Sequence, residues 1–379
     1  MVKRLNVGIV GLGNIGKIHA NAYRMVPLAF PSAPVRADLK AVWRTSLGRD
    51  KAFIEDCGFE IQTSDLNEFF DTPLDMVDIC TPTGSHTEYV RRAVEKEKAI
   101  YCEKPLGKDL ADARYMHALA QDAKVPTRMA FVLRFIPAIR QMKTILDSGE
   151  LGDVLNFRGH IFHSSYLDPQ RPMSWRLRFA QSGGGAFSDL GAHLLDLVNY
   201  LLGDVSSLRA TMHTFIKQRP SKAGSLVMED VDVDDWATCM LELESGVTGL
   251  VETARTAPEV PEDTSFQVFC QKGSLIYSSR HQEMLTIFDL DQNKKIQGVF
   301  DDVPRENERP ISLLWPGAKT STDSFLNAHL ACQYDFLLNI LEEKHAPPDF
   351  NSALKVQEVL EAAYTSAADD GEKVTLPLP

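Results

Sequence analysis

The feature that most constrains this 379-residue chain lies at its start. Leu5 to Val10 is an apolar, strand-like run that passes directly into Gly11-Leu-Gly13-Asn14-Ile15-Gly16, after which Ile18, Ala22 and Met25 recur at helical spacing. Glycines at this spacing between a strand and a helix permit a tight turn, a close backbone approach to a pyrophosphate, and close helix–strand packing. The helix N-terminus beyond them offers amide donors and partial positive charge. The segment therefore predicts a dinucleotide loop with Gly11, Gly13, Asn14, Ile15 and Gly16 as its contacts.

The pattern downstream supports that reading. Strand-like runs at 39–43, 59–61, 76–80, 99–102 and 127–131 alternate with helical patterns at 51–57, from Asp65, at 87–96 and at 109–123. Such alternation argues for a doubly wound parallel sheet, whose ligands sit at the C-terminal strand ends. Thr81-Pro82, with His86 close behind, and Glu103-Lys104-Pro105 fall at those ends, and Pro105 restrains the backbone that presents Lys104. The stretch from Pro27 to Pro34 reads as a long, proline-studded loop. An acidic residue about twenty positions past the glycines usually meets a ribose diol. Here Asp38 fits the count but precedes the apolar run, and the far end of the strand carries Arg44-Thr45-Ser46, with Arg49 soon after. A guanidinium with two hydroxyls suits a 2′-phosphate, so NADP(H) is the expected cofactor, with NAD possible.

From Arg134 the pattern changes. One helix is expected at 136–147, followed by strands at 153–163, 205–216, 235–244, 247–256, 264–271, 274–277 and 284–289. Their hairpin spacing predicts an α+β domain with a large, mainly antiparallel sheet. The expected organisation is thus a Rossmann domain over 1–130 and a second domain over 131–379. The second includes a polar loop over 291–322, helices at 325–342 and 352–368, and a short final strand near Lys373. Between its strands lies Ser182-Gly-Gly-Gly-Ala-Phe-Ser-Asp189-Leu-Gly-Ala-His193-Leu-Leu-Asp196, read as a glycine run leading into an amphipathic helix. On a 100° helical wheel Asp189, His193 and Asp196 share a stripe, beside the apolar arc of Leu190, Leu194, Leu197, Val198 and Leu201. A carboxylate four residues from an imidazole can set its tautomer.

Composition excludes several classes. Net charge is −12, with no basic block, which argues against nucleic acid or an anionic membrane as partner. The six cysteines are scattered without a CxxC pair, as expected of reduced, cytoplasmic thiols. The first strand begins with no signal-like segment ahead of it, and no apolar run reaches membrane-spanning length. His160 and His163 point to opposite faces of one strand, so no metal site is expected.

Taken together, these residues resemble the Gfo/Idh/MocA oxidoreductases over nearly the whole chain. The resemblance rests on Gly11-x-Gly13-x-x-Gly16, Thr81-Pro82 with His86, Glu103-Lys104-Pro105, the glycine run with Asp189 and His193, and Val356-Gln-Glu-Val-Leu360. It implies an enzyme that oxidises or reduces a carbinol of a sugar or cyclitol with NAD or NADP, with Lys104, Asp189 and His193 as the catalytic group. It also implies cofactor or substrate contacts from Trp175 and Arg176, and a homo-dimer or homo-tetramer formed through the C-terminal sheet. Tyr166, Asp168 and Arg176, in the loop before the glycine run, are candidate contacts to substrate hydroxyls. Arg44 and Val132 depart from the family pattern, which more often has an acidic residue and an asparagine there. An imidazole, with an ordinary pKa of about 6.5, can trade a proton near neutrality, and an ammonium can stabilise alkoxide character. Either His193 or Lys104 could be the formal base. A dinucleotide-bound sensor without turnover is the alternative function, but it would not need all three of Lys104, Asp189 and His193.

Overall fold

The computed structural model describes residues 2–48, 50–258, 262–281, 284–298, 308–317 and 319–379. The chain divides into two compact units, one formed by 1–107, 111–135 and 304–354, the other by 108–110, 136–303 and 355–379.

In the first unit, β1 (Lys3–Val10), α1 (Asn14–Ala29), β2 (Val35–Trp43), α2 (Lys51–Cys57), β3 (Ile61–Thr63), α3 (Leu66–Asp71), β4 (Met76–Ile79), α4 (His86–Glu95), β5 (Ala99–Cys102), α5 (Leu110–Asp122) and β6 (Thr127–Met129) alternate as expected. The sheet order is β3-β2-β1-β4-β5-β6, and every pairing in it is parallel. The order reverses between β1 and β4, and such a switch point opens a crevice at the C-terminal strand ends. β4 and β5 are buried along their whole length, as strands covered on both faces must be.

Two sequence expectations fail here. Residues 27–34 are not all loop: α1 continues through Pro27 to Ala29, and β2 already begins at Val35. Pro27 lies in the last turn of α1, where it removes one i→i−4 hydrogen bond just before the helix ends at Ala29. The second failure concerns the domain boundary. The helix α9 (Ser324–Leu341) packs on α1 and belongs to the first unit, although the sequence pattern assigns it to the second. It brings Asp335 to within 2.7 Å of Arg128, whose guanidinium is fully buried between Phe135 and Phe336. A buried arginine needs such a partner, and that requirement is invisible to hydropathy.

The second unit contains α6 (Pro137–Ser148), β7 (Val154–Phe162), α7 (Phe179–Ser182), α8 (Ala192–Leu201), β8 (Val205–His213), β9 (Gln218–Pro220), β10 (Met228–Asp230), β11 (Trp236–Leu243), β12 (Thr248–Ala254), β13 (Asp263–Cys270), β14 (Gly273–Ser278), β15 (Leu285–Asp289), β16 (Lys294–Gly298), most of α10 (Phe350–Ala368) and β17 (Val374–Thr375). Nine strands form one sheet in the order β16-β15-β14-β13-β7-β12-β11-β8-β17. The pairings are antiparallel except β7 with β12, which run parallel, so the sheet is mixed. Alternation along β11 buries Ala237, Cys239, Leu241 and Leu243 and leaves Met240 exposed on the other face. α8 lies on the buried face, where a Cβ added to Gly159 of β7 would come within 3.1 Å of Leu194.

The expected loop over 291–322 contains β16 and a 3₁₀ turn at Ile311–Leu313; its residues 299–307 and 318 lie outside the described residues. The hairpin β9–β10 was also not expected, because its strands are short and polar. All six cysteines are free and buried. No helix among the described residues is long and apolar enough to cross a membrane.

Candidate active site

On the nucleotide unit, the glycine loop is built as its spacing requires. Gly11 has a φ of +92°, and a Cβ there would lie 2.8 Å from the Thr81 side chain, so the turns after β1 and β4 touch. At Gly16 a Cβ would fall 2.2 Å from the Gly11 carbonyl oxygen. Gly13 and Asn14 are exposed, a Cβ at Gly13 would meet nothing within 4 Å, and no side chain caps the first turn of α1. An open approach to uncapped helix amides fits a pyrophosphate.

Beyond β2, Arg44 is largely covered while Thr45 and Ser46 are exposed; Arg49 lies outside the described residues. The Arg44 guanidinium lies 3.1 Å from the Asp50 carboxylate, and the Lys17 ammonium meets the same carboxylate at 2.7 Å. The hydrogen bond from Lys17 and the nearby Arg44 hold the Asp50 carboxyl below its usual range against a smaller effect of burial. Lys17 and Asp50 were missed by the sequence reading, since Lys17 follows the glycine motif and Asp50 lies six residues beyond Arg44. Asp38 lies inside β2, opposite Asn6 of β1 and well short of its C-terminal end, and pairs with Arg4.

Two expected cofactor contacts point inward. His86 is fully buried, with Nδ1 3.0 Å from the Leu106 carbonyl and Nε2 3.0 Å from the Thr81 carbonyl. It ties the turn after β4 to the one after β5. Burial holds its pKa below the ordinary imidazole value against the opposing effect of the two carbonyls, and any effect of His86 on a ligand runs through those turns. The Glu103 carboxylate also faces the interior. Lys104, next in the chain, is partly exposed and precedes a cis peptide to Pro105. Val132 is fully buried.

On the sheet unit, the glycine run does not lead straight into an α-helix. Phe187–Gly191 forms a π-turn packed against β12, and α8 begins only at Ala192. The extra residue in that turn moves Asp189 and His193 off the ideal wheel that the i, i+4 argument assumed. Leu194, Leu197, Val198 and Leu201 are buried as expected, Leu190 is only half-buried, and Asp196 is also buried. Asp189 and His193 remain partly exposed.

The turn is pinned by residues that local pattern could not reveal. Gly184 has a φ of +152°, and a Cβ there would fall 2.1 Å from the Tyr364 hydroxyl. Buried Asp234 accepts hydrogen bonds from the amides of Gly185 at 2.9 Å and Phe187 at 2.8 Å, and from the Tyr364 hydroxyl at 2.7 Å. A carboxylate at the start of this helical segment also complements its dipole. Asp189 Oδ2 accepts from Arg255 Nη2 at 3.0 Å and lies 3.8 Å from Arg176 Nε. Arg255 is fully buried at the end of β12, and Asp189 keeps its guanidinium charged against the opposing effect of burial. Arg176 stacks on Trp175 at 4.3 Å.

The remaining candidates behave differently from one another. Tyr166 is buried, with the guanidinium groups of Arg171, Arg255 and Arg219 at 4.1, 4.9 and 5.8 Å from its ring centre. Its ring is a platform for cations. Asp168 is exposed and its carboxylate closes a local turn by accepting from the Gln170 amide at 2.8 Å.

Residues 5–131 match the "Oxidoreductase family, NAD-binding Rossmann fold" and residues 139–276 the "GFO/IDH/MocA C-terminal domain". Levoglucosan dehydrogenase of Pseudarthrobacter phenanthrenivorans is 30% identical over 97% of this chain and 97% of its own. The chain belongs to the Gfo/Idh/MocA family. Myo-inositol 2-dehydrogenase of Thermotoga maritima is 27% identical over 75% of this chain and 78% of its own. Among solved structures, a levoglucosan dehydrogenase in complex with NADH superposes with a TM-score of 0.91 at 28% identity, over 99% of this chain and 100% of that one. This Gfo/Idh/MocA member is therefore an oxidoreductase with an NAD-binding Rossmann domain.

Proposed function

We propose that the enzyme oxidises or reduces a secondary carbinol of a sugar or cyclitol, using Lys104, Asp189 and His193 as its catalytic group. The observation that carries the reading is that all three residues are present, and partly exposed, in a chain similar over 97% of its length to dehydrogenases of levoglucosan and D-apiose and over 75% to one of myo-inositol. Those named substrates share adjacent hydroxyls on a ring or compact carbon skeleton. A bound nicotinamide supplies the hydride acceptor or donor. The chain supplies proton transfer and positioning. Lys104 holds the reacting oxygen and stabilises its alkoxide character. His193 exchanges the hydroxyl proton, with Lys104 as the other group able to do so. Asp189, itself held by Arg255 and Arg176, orients the imidazole or receives a neighbouring substrate hydroxyl, and Arg176 with Trp175 lies beside it. The outer face of the nine-stranded sheet, where Met240, Leu250 and Arg158 lie in register, is the surface that would serve a homo-dimer or homo-tetramer. The reading is tested by following absorbance at about 340 nm with either cofactor across sugars, cyclitols and their keto forms. Tight cofactor binding with no turnover on any of them would point to a sensor.

For the cofactor we favour NADP(H). Arg44 and Lys17 together outweigh the one charge of Asp50, leaving a net positive site beside two exposed hydroxyls. Relatives solved with NADH make the alternative concrete. Arg44→Asp is expected to move the ratio of kcat/KM values for NADP and NAD by about tenfold or more toward NAD. An unchanged ratio would remove Arg44 from the argument.

A further inference from the structure

Helix α1 carries a histidine that the dinucleotide reading does not use. His19 is fully buried, and both its ring nitrogens face acids. Nδ1 lies 3.0 and 3.1 Å from the two oxygens of Asp78, itself fully buried on β4. Nε2 lies 3.1 Å from Glu103 Oε1, just beyond β5. The Nε2–H direction misses that oxygen, so this contact is an ion pair more than a directed hydrogen bond. An imidazole can meet a carboxylate at each nitrogen only when each carries a hydrogen.

The other groups facing His19 leave that charge in place. Cys80 Sγ, just beyond β4, is 3.1 Å from Nδ1, the Tyr101 ring on β5 is edge-on at 5.3 Å, and the His329 ring on α9 is at 5.0 Å. Tyr23, on α1 itself, is buried beside Asp78. Burial pushes the Cys80 thiol up, and pushes Cys332 on α9 up to about 12, so both stay neutral. Burial opposes a charge on His19, but the Asp78 carboxylate outweighs it and the His19 pKa lies well above the ordinary imidazole value. Burial likewise opposes the Glu103 carboxylate, and His19 reverses the balance, leaving Glu103 below its usual range.

The second oxygen of Glu103 lies 3.3 Å from the backbone amide of Lys104. One end of the carboxylate is thus held by the imidazolium and the other by the peptide that presents the lysine. We propose that His19 is a positioning residue for Lys104: clamped between Asp78 and Glu103, it fixes the carboxylate that in turn fixes the turn carrying the ammonium. The proposal rests on the reading of Lys104 as catalytic and goes beyond it, because His19 touches neither cofactor nor substrate. It also assigns the His19, Glu103 and His329 cluster, whose ligand atoms lie within 4.8 Å of one another, to ion pairing and not to a metal ion.

His19→Gln keeps similar length and an N–H donor but carries no charge. At saturating substrate and cofactor its kcat is expected to fall by about 10–100-fold, since small misplacement of a reacting group costs about that much. KM for the cofactor should change by less than about threefold, because the glycine loop is untouched. The ionisation governing kcat should move to higher pH by about half a unit or more, since removing a nearby positive charge favours protonation. Glu103→Gln should reproduce the fall in kcat.

A second measurement needs no variant. Nitrogen NMR of histidine-labelled wild-type enzyme at about pH 8 should show one residue with both ring nitrogens protonated, where an ordinary imidazole is neutral. A His19 that titrates ordinarily, or a folded His19→Gln enzyme with wild-type turnover and pH profile, would overturn the proposal. So would a stoichiometric metal ion that is lost in His19→Gln. Lys104→Ala with intact turnover would instead remove the functional reading beneath it, and the NMR signal separates that failure from this one.

Discussion

Alanine at His193 is expected to lower turnover by about 10²–10⁴-fold, the usual worth of positioned proton transfer, while cofactor binding stays near that of the wild type. The imidazole stands on the sheet unit, whereas the pyrophosphate loop is built wholly from the nucleotide unit. Lys104→Ala is expected to cost a similar factor through loss of alkoxide stabilisation. The informative measurement is the double variant. Groups that act together on one reacting oxygen are strongly non-additive, so the double should be little worse than the poorer single. Losses that multiply would show that the two groups serve separate steps. Loss of cofactor binding in His193→Ala, with turnover otherwise intact, would contradict the assignment of its role. Single-turnover traces with either nicotinamide cofactor separate binding from chemistry.

The second large effect is on stability. Asp234→Ala leaves the amides of Gly185 and Phe187 and the hydroxyl of Tyr364 without the carboxylate that receives them. The Gly185 amide keeps a second contact to the Tyr364 hydroxyl at 2.9 Å, so two donors lose their acceptor. Each costs about 1–3 kcal/mol, and a loss of about 2–6 kcal/mol is expected. In thermal melts that corresponds to a fall on the order of 10 °C. Turnover should fall further than the folded fraction does, because the same turn sets the direction of Asp189 and His193. Asp234→Asn keeps an acceptor oxygen and should fall between the two. A melting temperature unchanged in Asp234→Ala would mean that the glycine run holds its shape without this anchor.

Much of the architecture was legible because it is written in local periods. The strand–glycine–helix junction, the alternation over the first 130 residues and the hairpin-spaced strands after it all follow from spacing and hydropathy. The catalytic candidates were proposed from short runs, Glu103-Lys104-Pro105 and Asp189-Leu-Gly-Ala-His193. What the sequence concealed is mostly partnership at long range. Arg255 is 66 residues from Asp189, and Tyr364 is 130 from Asp234, so nothing local announces either pair. His19 fell among the apolar positions of α1 and reads as helix filler until Asp78 and Glu103 close on it. The π-turn at 187–191 was missed for a related reason, since the wheel that groups Asp189 with His193 assumes a regular helix. Glu103 and His86 fall at the strand ends where a cofactor is expected, and local pattern does not reveal that both turn their side chains into the interior.

The threading of the backbone has a practical consequence for dissection. Because 304–354 belongs with the first unit and 355–379 with the second, neither unit is a continuous piece of polypeptide. A fragment cut after residue 131 would lack α9, stripping cover from α1 and leaving the Arg128 charge without Asp335. Swapping a nucleotide half between relatives thus calls for two splice points, one near 135 and one that carries α9 along with it.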